Sequence, residues 1–204
     1  MKDLKIGIGV PCHVRDRELL FRYCLPSIRR LDPAPHSSLI WINEGHKDGL
    51  RGIKTKIYDH LFLDAGVDVV LCVDSDMMLF PGILKFVGRH VIVDFAHIVR
   101  APIASMCKMV IRQLVDKPLC GCLSIPRELW FNKIRDNPDF NGIDSSIIKS
   151  VDIQRDFMPL KFPPKFMLMR RSGKQYRKNI MTDPKNLELG VFKRMVYLLG
   201  SLHV

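Results

Sequence analysis

Apolar residues first gather in LKIGIGV (4–10), a run short and continuous enough to predict a buried strand. The next segment, RDRELLFRYCLPSIRRL (15–31), changes to helical spacing, with Pro26 expected to kink or divide the helix because proline has no N–H to bond. SLIWIN (38–43) repeats the strand pattern. After the loop EGHKDGLR, GIKTKIYDHLFLDAG (52–66) reads as a second helix that closes at Ala65 and Gly66. VDVVLCV (67–73) is a third strand. Strands alternating with helices predict an α/β fold with a mostly parallel central sheet and right-handed crossovers, in which a ligand sits beyond the carboxyl ends of the strands.

The second half is less regular. A short helix is expected after Pro81, HVIVDFAHI (90–98) and LCGCLSI (119–125) read as strands, and 99–118 takes no assignment. PRELWFNKI (126–134) places Pro126 at a helix start, and NGIDSSIIKSVDIQ (141–154) is a turn leading into a helix that Asp144 could cap. KFPPKFMLMRRSGKQYRK (161–178) carries seven basic residues and no acidic one, and leads to an amphipathic helix at roughly 185–200. With no repeat, low-complexity tract or linker, the 204 residues read as one domain.

Composition narrows the class. A hydrophobic fraction of 47% excludes a disordered chain, and a net charge of +11 favours anionic partners without choosing among phosphorylated metabolites, acidic membranes and nucleic acid. The six cysteines form no CxxC pair, so a zinc site is not expected; Cys24 and Cys72 fall inside apolar patterns as small core residues. A reduced, cytoplasmic protein is expected. No run approaches the roughly 18 apolar residues of a membrane span, and the N-terminus enters a strand without a signal-peptide pattern.

The chemistry concentrates in VVLCVDSDMMLF (69–80), where Asp74 and Asp76 follow the third strand. Two carboxylates so close repel one another unless a cation or hydrogen-bond donors compensate. Mg²⁺ or Mn²⁺ would do so with few protein atoms, because hard cations take carboxylate oxygens and fill their remaining positions with water and phosphate. The alternative is structural: Asp74 ends the strand and Asp76 caps a turn before Pro81.

GVPCH after the first strand, INEG after the second, and VLCVDSD after the third, in that order and at those strand ends, resemble the nucleotide-sugar half of GT-A glycosyltransferases. The likeness covers about the first 80 residues well and 119–155 loosely. It implies a GT-A fold, with 1–80 binding the nucleotide sugar, 81–160 forming the acceptor half and 161–204 a basic extension. Asp76, assisted by Asp74, would hold Mn²⁺ or Mg²⁺ on the donor diphosphate. Pro11, Cys12 and His13 would lie along the nucleoside, Glu44 near the base, and Lys54 or Lys56 toward the diphosphate, although a surface loop and solvated lysines would account for these residues too. CGCLSIPRELW followed by NGIDSSI is similar to the family's acceptor segment, and makes Asp144 the candidate base, with Glu128 and Asp139 as alternatives. The histidine that many members use as a further metal ligand has no counterpart between 98 and 202.

The expected activity is metal-dependent transfer of a sugar from a nucleoside-diphosphate donor, of the UDP-sugar class, to a hydroxyl on a carbohydrate, lipid-linked or glycoprotein acceptor. The basic segment would allow peripheral contact with an anionic membrane. Two rival classes share single features. A haloacid-dehalogenase-type phosphatase also uses hhhhDxD, but on its first strand; here two β-α units come before it. A nucleic-acid-binding module would suit the charge and RRSGKQYRK, yet no recognised binding motif is present, and nucleic acid is not expected as a partner.

Overall fold

Seven strands make one sheet among the residues that the computed structural model describes, 3–43, 49–79, 81–99 and 122–167. They are β1 (Ile6–His13), β2 (Ser37–Asn43), β3 (Val69–Cys72), β4 (Met77–Met78), β5 (Ile92–Val99), β6 (Leu123–Pro126) and β7 (Phe157–Met167), in the spatial order β2-β1-β3-β6-β5-β7-β4. β1 pairs in parallel with both β2 and β3, as the strand-helix alternation predicts. β6 then runs antiparallel to β3 and β5, β7 lies parallel to β5, and β4 closes the edge antiparallel to β7. Five strands therefore share one direction, and only β6 and β4 oppose it.

Three strands differ from the sequence reading, the two-residue β4 among them, which falls in the stretch expected to be a turn. β1 continues through Pro11 to His13 instead of ending in a loop at Val10. Its pairing with β3 stops at Gly9 opposite Cys72, whereas its pairing with β2 runs on to His13. Beyond Gly9, β1 has a side with no β3 partner, so a proline without an N–H is tolerated there. β7 is a strand that Pro159, Pro163 and Pro164 conceal in the sequence. Its register against β5 jumps from Leu160 opposite Phe95 to Lys165 opposite His97, so five steps of β7 match two of β5 and the paired prolines sit in the bulge.

The helix after β1 is built in pieces. A 3-10 turn, Val14–Asp16, leads into the α-helical Arg17–Leu19, a π turn Leu20–Cys24 and the α-helical Leu25–Ile28. Leu25 N–H reaches back to Leu20 C=O, and the next residue, Pro26, has no N–H to give; the widened turn is how the helix accommodates it. The helix Gly49–Asp59 likewise ends in a π turn, His60–Asp64, and Arg127–Leu129 in another, Trp130–Ile134.

Alternate residues of β3 feed two cores. Val69 and Leu71 pack with Ile8, Val10, Leu20, Cys24 and Ile28 on one face. Val70 and Cys72 pack on the other with Ile57, Leu61, Trp130 and Phe140. Helices thus cover both faces, and β3, buried at every position, is the innermost element that leads to the site. Among the described residues no helix is long and apolar enough to cross a membrane. The helix expected at 185–200, and the basic segment beyond Met167, lie outside the described residues.

Candidate functional site

β3 delivers the acidic pair. Val73 N–H bonds Gly9 C=O at 2.8 Å, holding the end of the strand against β1, and Met77 N–H bonds Asp74 C=O at 3.0 Å, closing the turn Asp74–Met77. Asp74 is half-buried at the lip of this turn, while Ser75 and Asp76 are buried, Asp76 at 7% exposure. The strand-ending turn foreseen for these residues is therefore present, and the carboxylates occupy it. Ser27 fixes the chain that leaves the turn: its hydroxyl accepts Leu79 N–H at 3.0 Å and donates to Cys24 C=O at 2.6 Å.

Beside the pair lie thiols that stay protonated. Burial pushes the Cys24 thiol well up, with the charges of Asp76 and Asp74 adding to it. Burial also raises Cys12, against a hydrogen bond from Ser75. The donor set that a cation would meet is thus oxygen from Asp74 and Asp76, with no thiolate, which fits Mg²⁺ or Mn²⁺ and disfavours a soft metal. No group of three or more His, Cys, Asp or Glu side chains that could cage a metal occurs among the described residues. A cation here would have to complete its shell with water and phosphate, as Mg²⁺ ordinarily does.

Asp144 reaches the same edge from the far half of the chain. Its loop is self-bonded: Asn137 Oδ1 accepts Asp139 N–H at 2.9 Å, Asn141 Oδ1 accepts Ile143 N–H at 3.0 Å, and the Ser146 hydroxyl donates to Ile143 C=O at 2.6 Å. The loop then presses on the first turn of the helix Gly49–Asp59. Arg51 Nη2 donates to Asn137 C=O at 3.3 Å, its guanidinium lies 5.9 Å from the Phe140 ring centre, and Gly142, at φ +86°, sits directly on the Leu50–Arg51 backbone. Asp144 is not the helix cap that its position suggests. Ile143 takes the cap position without a side-chain bond, and Asp144 is the first residue of the helix Asp144–Ile147.

This docking makes a contact that the sequence does not announce: Lys54 Nζ donates to Asp144 Oδ1, with the residues 3% and 5% exposed. Burial works against the Lys54 ammonium, but the Asp144 carboxylate, with smaller help from Cys72 and Asp74, more than offsets it and raises the lysine above its ordinary range. Cys72, the last residue of β3, is pushed up to about 12, first by burial and then by Asp144 and Asp74, against the pull of Lys54. Burial drives the Tyr58 hydroxyl, one helical turn beyond Lys54, upward as well, with Cys72 and Asp144 adding to the effect. Lys54, Tyr58, Cys72, Asp74 and Asp144 thus form one electrostatic neighbourhood at the carboxyl end of β3.

The remaining candidates fall in different places. Pro11 and His13, both half-buried, extend β1 past its last pair with β3, on the side where Asp74 lies. Glu44 lies outside the described residues. Lys56 is exposed, with its Nζ 5.6 Å from the ring centre of Trp41 on the edge strand β2, so Lys54 rather than Lys56 is the lysine brought to the acidic edge. Glu128 lines a groove with Asp68, which precedes β3, and is therefore at the opposite end of that strand from Asp74. Asp139 is exposed in the 137–140 turn.

No protein-family profile and no curated protein matches the chain. Solved structures do. Residues 1–349 of TarS from S. aureus, in complex with UDP-GlcNAc, superpose with a TM-score of 0.56 at 14% identity, over 86% of this chain and 61% of that one. The mannosyltransferase PcManGT from Pyrobaculum calidifontis, in complex with GDP-Man and Mn²⁺, gives 0.55 at 9% identity, over 86% of this chain and 60% of that one. The chain thus spans about 60% of the length of either structure. At such identities the likeness establishes architecture: the chain has the GT-A glycosyltransferase fold, a mixed, mostly parallel sheet between helical layers.

Proposed function

We propose that the protein is a metal-dependent glycosyltransferase that moves a sugar from a nucleoside-diphosphate donor, of the UDP-sugar class, to a hydroxyl acceptor. The observation that supports this reading is that Asp74 and Asp144 both bear on Cys72, the last residue of β3, with Asp76 in the turn that follows, in a fold whose solved neighbours hold UDP-GlcNAc or GDP-Man. Asp76, with Asp74, would hold Mn²⁺ or Mg²⁺, whose charge offsets that developing on the departing diphosphate. Asp144 takes the proton of the acceptor hydroxyl as its oxygen bonds to the anomeric carbon and the bond from that carbon to the diphosphate breaks. The Lys54 ammonium, bonded to the Asp144 carboxylate, holds it against the helix Gly49–Asp59. Pro11 and His13 would lie along the nucleoside, and Glu44, outside the described residues, and Lys56, exposed beside Trp41, belong to the same donor proposal. The acceptor is a carbohydrate, lipid-linked or glycoprotein hydroxyl, met in the cytoplasm or at an anionic membrane surface.

A panel of nucleotide sugars, assayed by thermal shift with and without Mn²⁺, tests the donor half. A bound donor at a hundredfold its Kd adds about 2.7 kcal/mol, a rise of roughly 5–10 °C for a chain of this size. Asp76→Asn should remove the Mn²⁺-dependent part of that rise; metal-dependent binding that survives the substitution rejects the assignment. For the base, Asp144→Asn is preferable to alanine because the amide oxygen can still accept from Lys54. It should lower transfer by about 10²–10⁴-fold with Mn²⁺ and donor both held at saturation. Retained turnover would point to another base or to a retaining route.

A further inference from the structure

Lys54 poses a question that the catalytic roles leave open. A lysine at 3% exposure is costly to bury unless paired, and a helix face over a sheet offers easier residues for that position. Its partner, Asp144, belongs to a different part of the chain and arrives only because the 137–143 loop is seated on Leu50 and Arg51. Asp74, at the end of β3, is a further charge that bears on the same ammonium. One fixed positive charge therefore stands among carboxylates at the edge where the proposed cation would bind.

We propose that Lys54 is a positioning residue acting as the built-in cation of this edge: it ties Asp144 to the helix Gly49–Asp59, and its charge sets how tightly Asp74 and Asp76 hold a divalent ion. This rests on the reading of that acidic pair as metal ligands. The physical argument is Coulombic. A fixed positive charge near a doubly charged ion opposes its binding, and the Asp144 carboxylate cancels most of that opposition. Removing the lysine leaves the edge one charge more negative, removing the aspartate leaves it one charge more positive, and removing both restores the original balance.

The test uses Mn²⁺ alone as probe, with free ion counted by its electron paramagnetic resonance signal, so that no turnover is needed. Lys54→Met should bind Mn²⁺ more tightly than the natural protein, by a factor on the order of ten for partly screened charges. Asp144→Asn should bind it more weakly by a similar factor, and the double substitution should return close to the starting affinity. Lys54→Arg, which keeps the charge, should also stay close. Damage to the fold would weaken all the variants alike, and the double variant, which strands no buried charge, covers the case where Lys54→Met alone does not fold. Affinities that do not follow this order overturn the proposal while leaving the metal site standing. Natural protein that binds no Mn²⁺ overturns both.

Discussion

Gly142 shows how much of the site rests on single positions. Its φ of +86° belongs to the left-handed region, and a Cβ there would come within 2.3 Å of Arg51 N and 2.5 Å of the Leu50 carbonyl carbon, both backbone atoms that cannot turn aside. Gly142→Ala should therefore lift the loop off the helix and cost at least about 2 kcal/mol, visible as a fall of roughly 4–8 °C in Tm. Gly66 is the control: φ is +63° with nothing within 4 Å of a built Cβ, so Gly66→Ala meets only the backbone preference, about 1 kcal/mol. Equal losses at the two glycines would show that the close approach at Gly142 carries no weight. At this scale the sequence exposes Asp74 and Asp76, because two carboxylates interrupt an apolar run. It does not expose the Lys54–Asp144 pair, because neither residue is unusual in its own segment and only the docked loop brings them together.

Between elements, the joint that matters most is the one holding the helix Gly49–Asp59 to the segment Arg127–Ile134. Asp59 accepts the Trp130 indole N–H at 2.9 Å and receives Arg135 through Nε at 3.1 Å and Nη2 at 2.9 Å. Trp130 is fully buried and stacks on Tyr58 with ring centres 4.4 Å apart. Asp59→Ala should strand that buried N–H and cost about 2–3 kcal/mol. Arg135→Ala, at a guanidinium with 36% exposure, should cost only about 0.5–1 kcal/mol. Urea unfolding compares the two, and a larger loss at Arg135 would mean that the ion pair, not the indole bond, makes the joint. Elements whose periodicity is unbroken, such as β2, β3 and the helix Gly49–Asp59, are legible from residue pattern alone. The extension of β1 through Pro11 and the whole of β7 are not, since proline signals a break and only the pairing of neighbouring strands reveals that the missing N–H faces no partner or falls in a bulge.

On the scale of the molecule, the alternation of strands and helices up to β3 predicts the parallel trio β2-β1-β3, but nothing local says that β6 enters beside β3 in the opposite sense. That insertion has a mechanical consequence. β3, buried at every position, contributes Val69 and Leu71 to one core and Val70 and Cys72 to the other, so neither core survives loss of this strand. The two cores should unfold as one transition. Each has its own reporter: Trp130, fully buried, answers for one face through its fluorescence once the second tryptophan, Trp41, is replaced by Phe, and Cys24, a buried free thiol with a raised pKa, answers for the other through its resistance to alkylation. With urea as denaturant, the fluorescence change and the onset of Cys24 labelling, read by peptide mass, should share one midpoint. Cys24 labelled at lower urea than the indole transition would mean that the face carrying the Leu20–Ile28 helix opens by itself, and that the sheet does not bind the two layers into one cooperative unit.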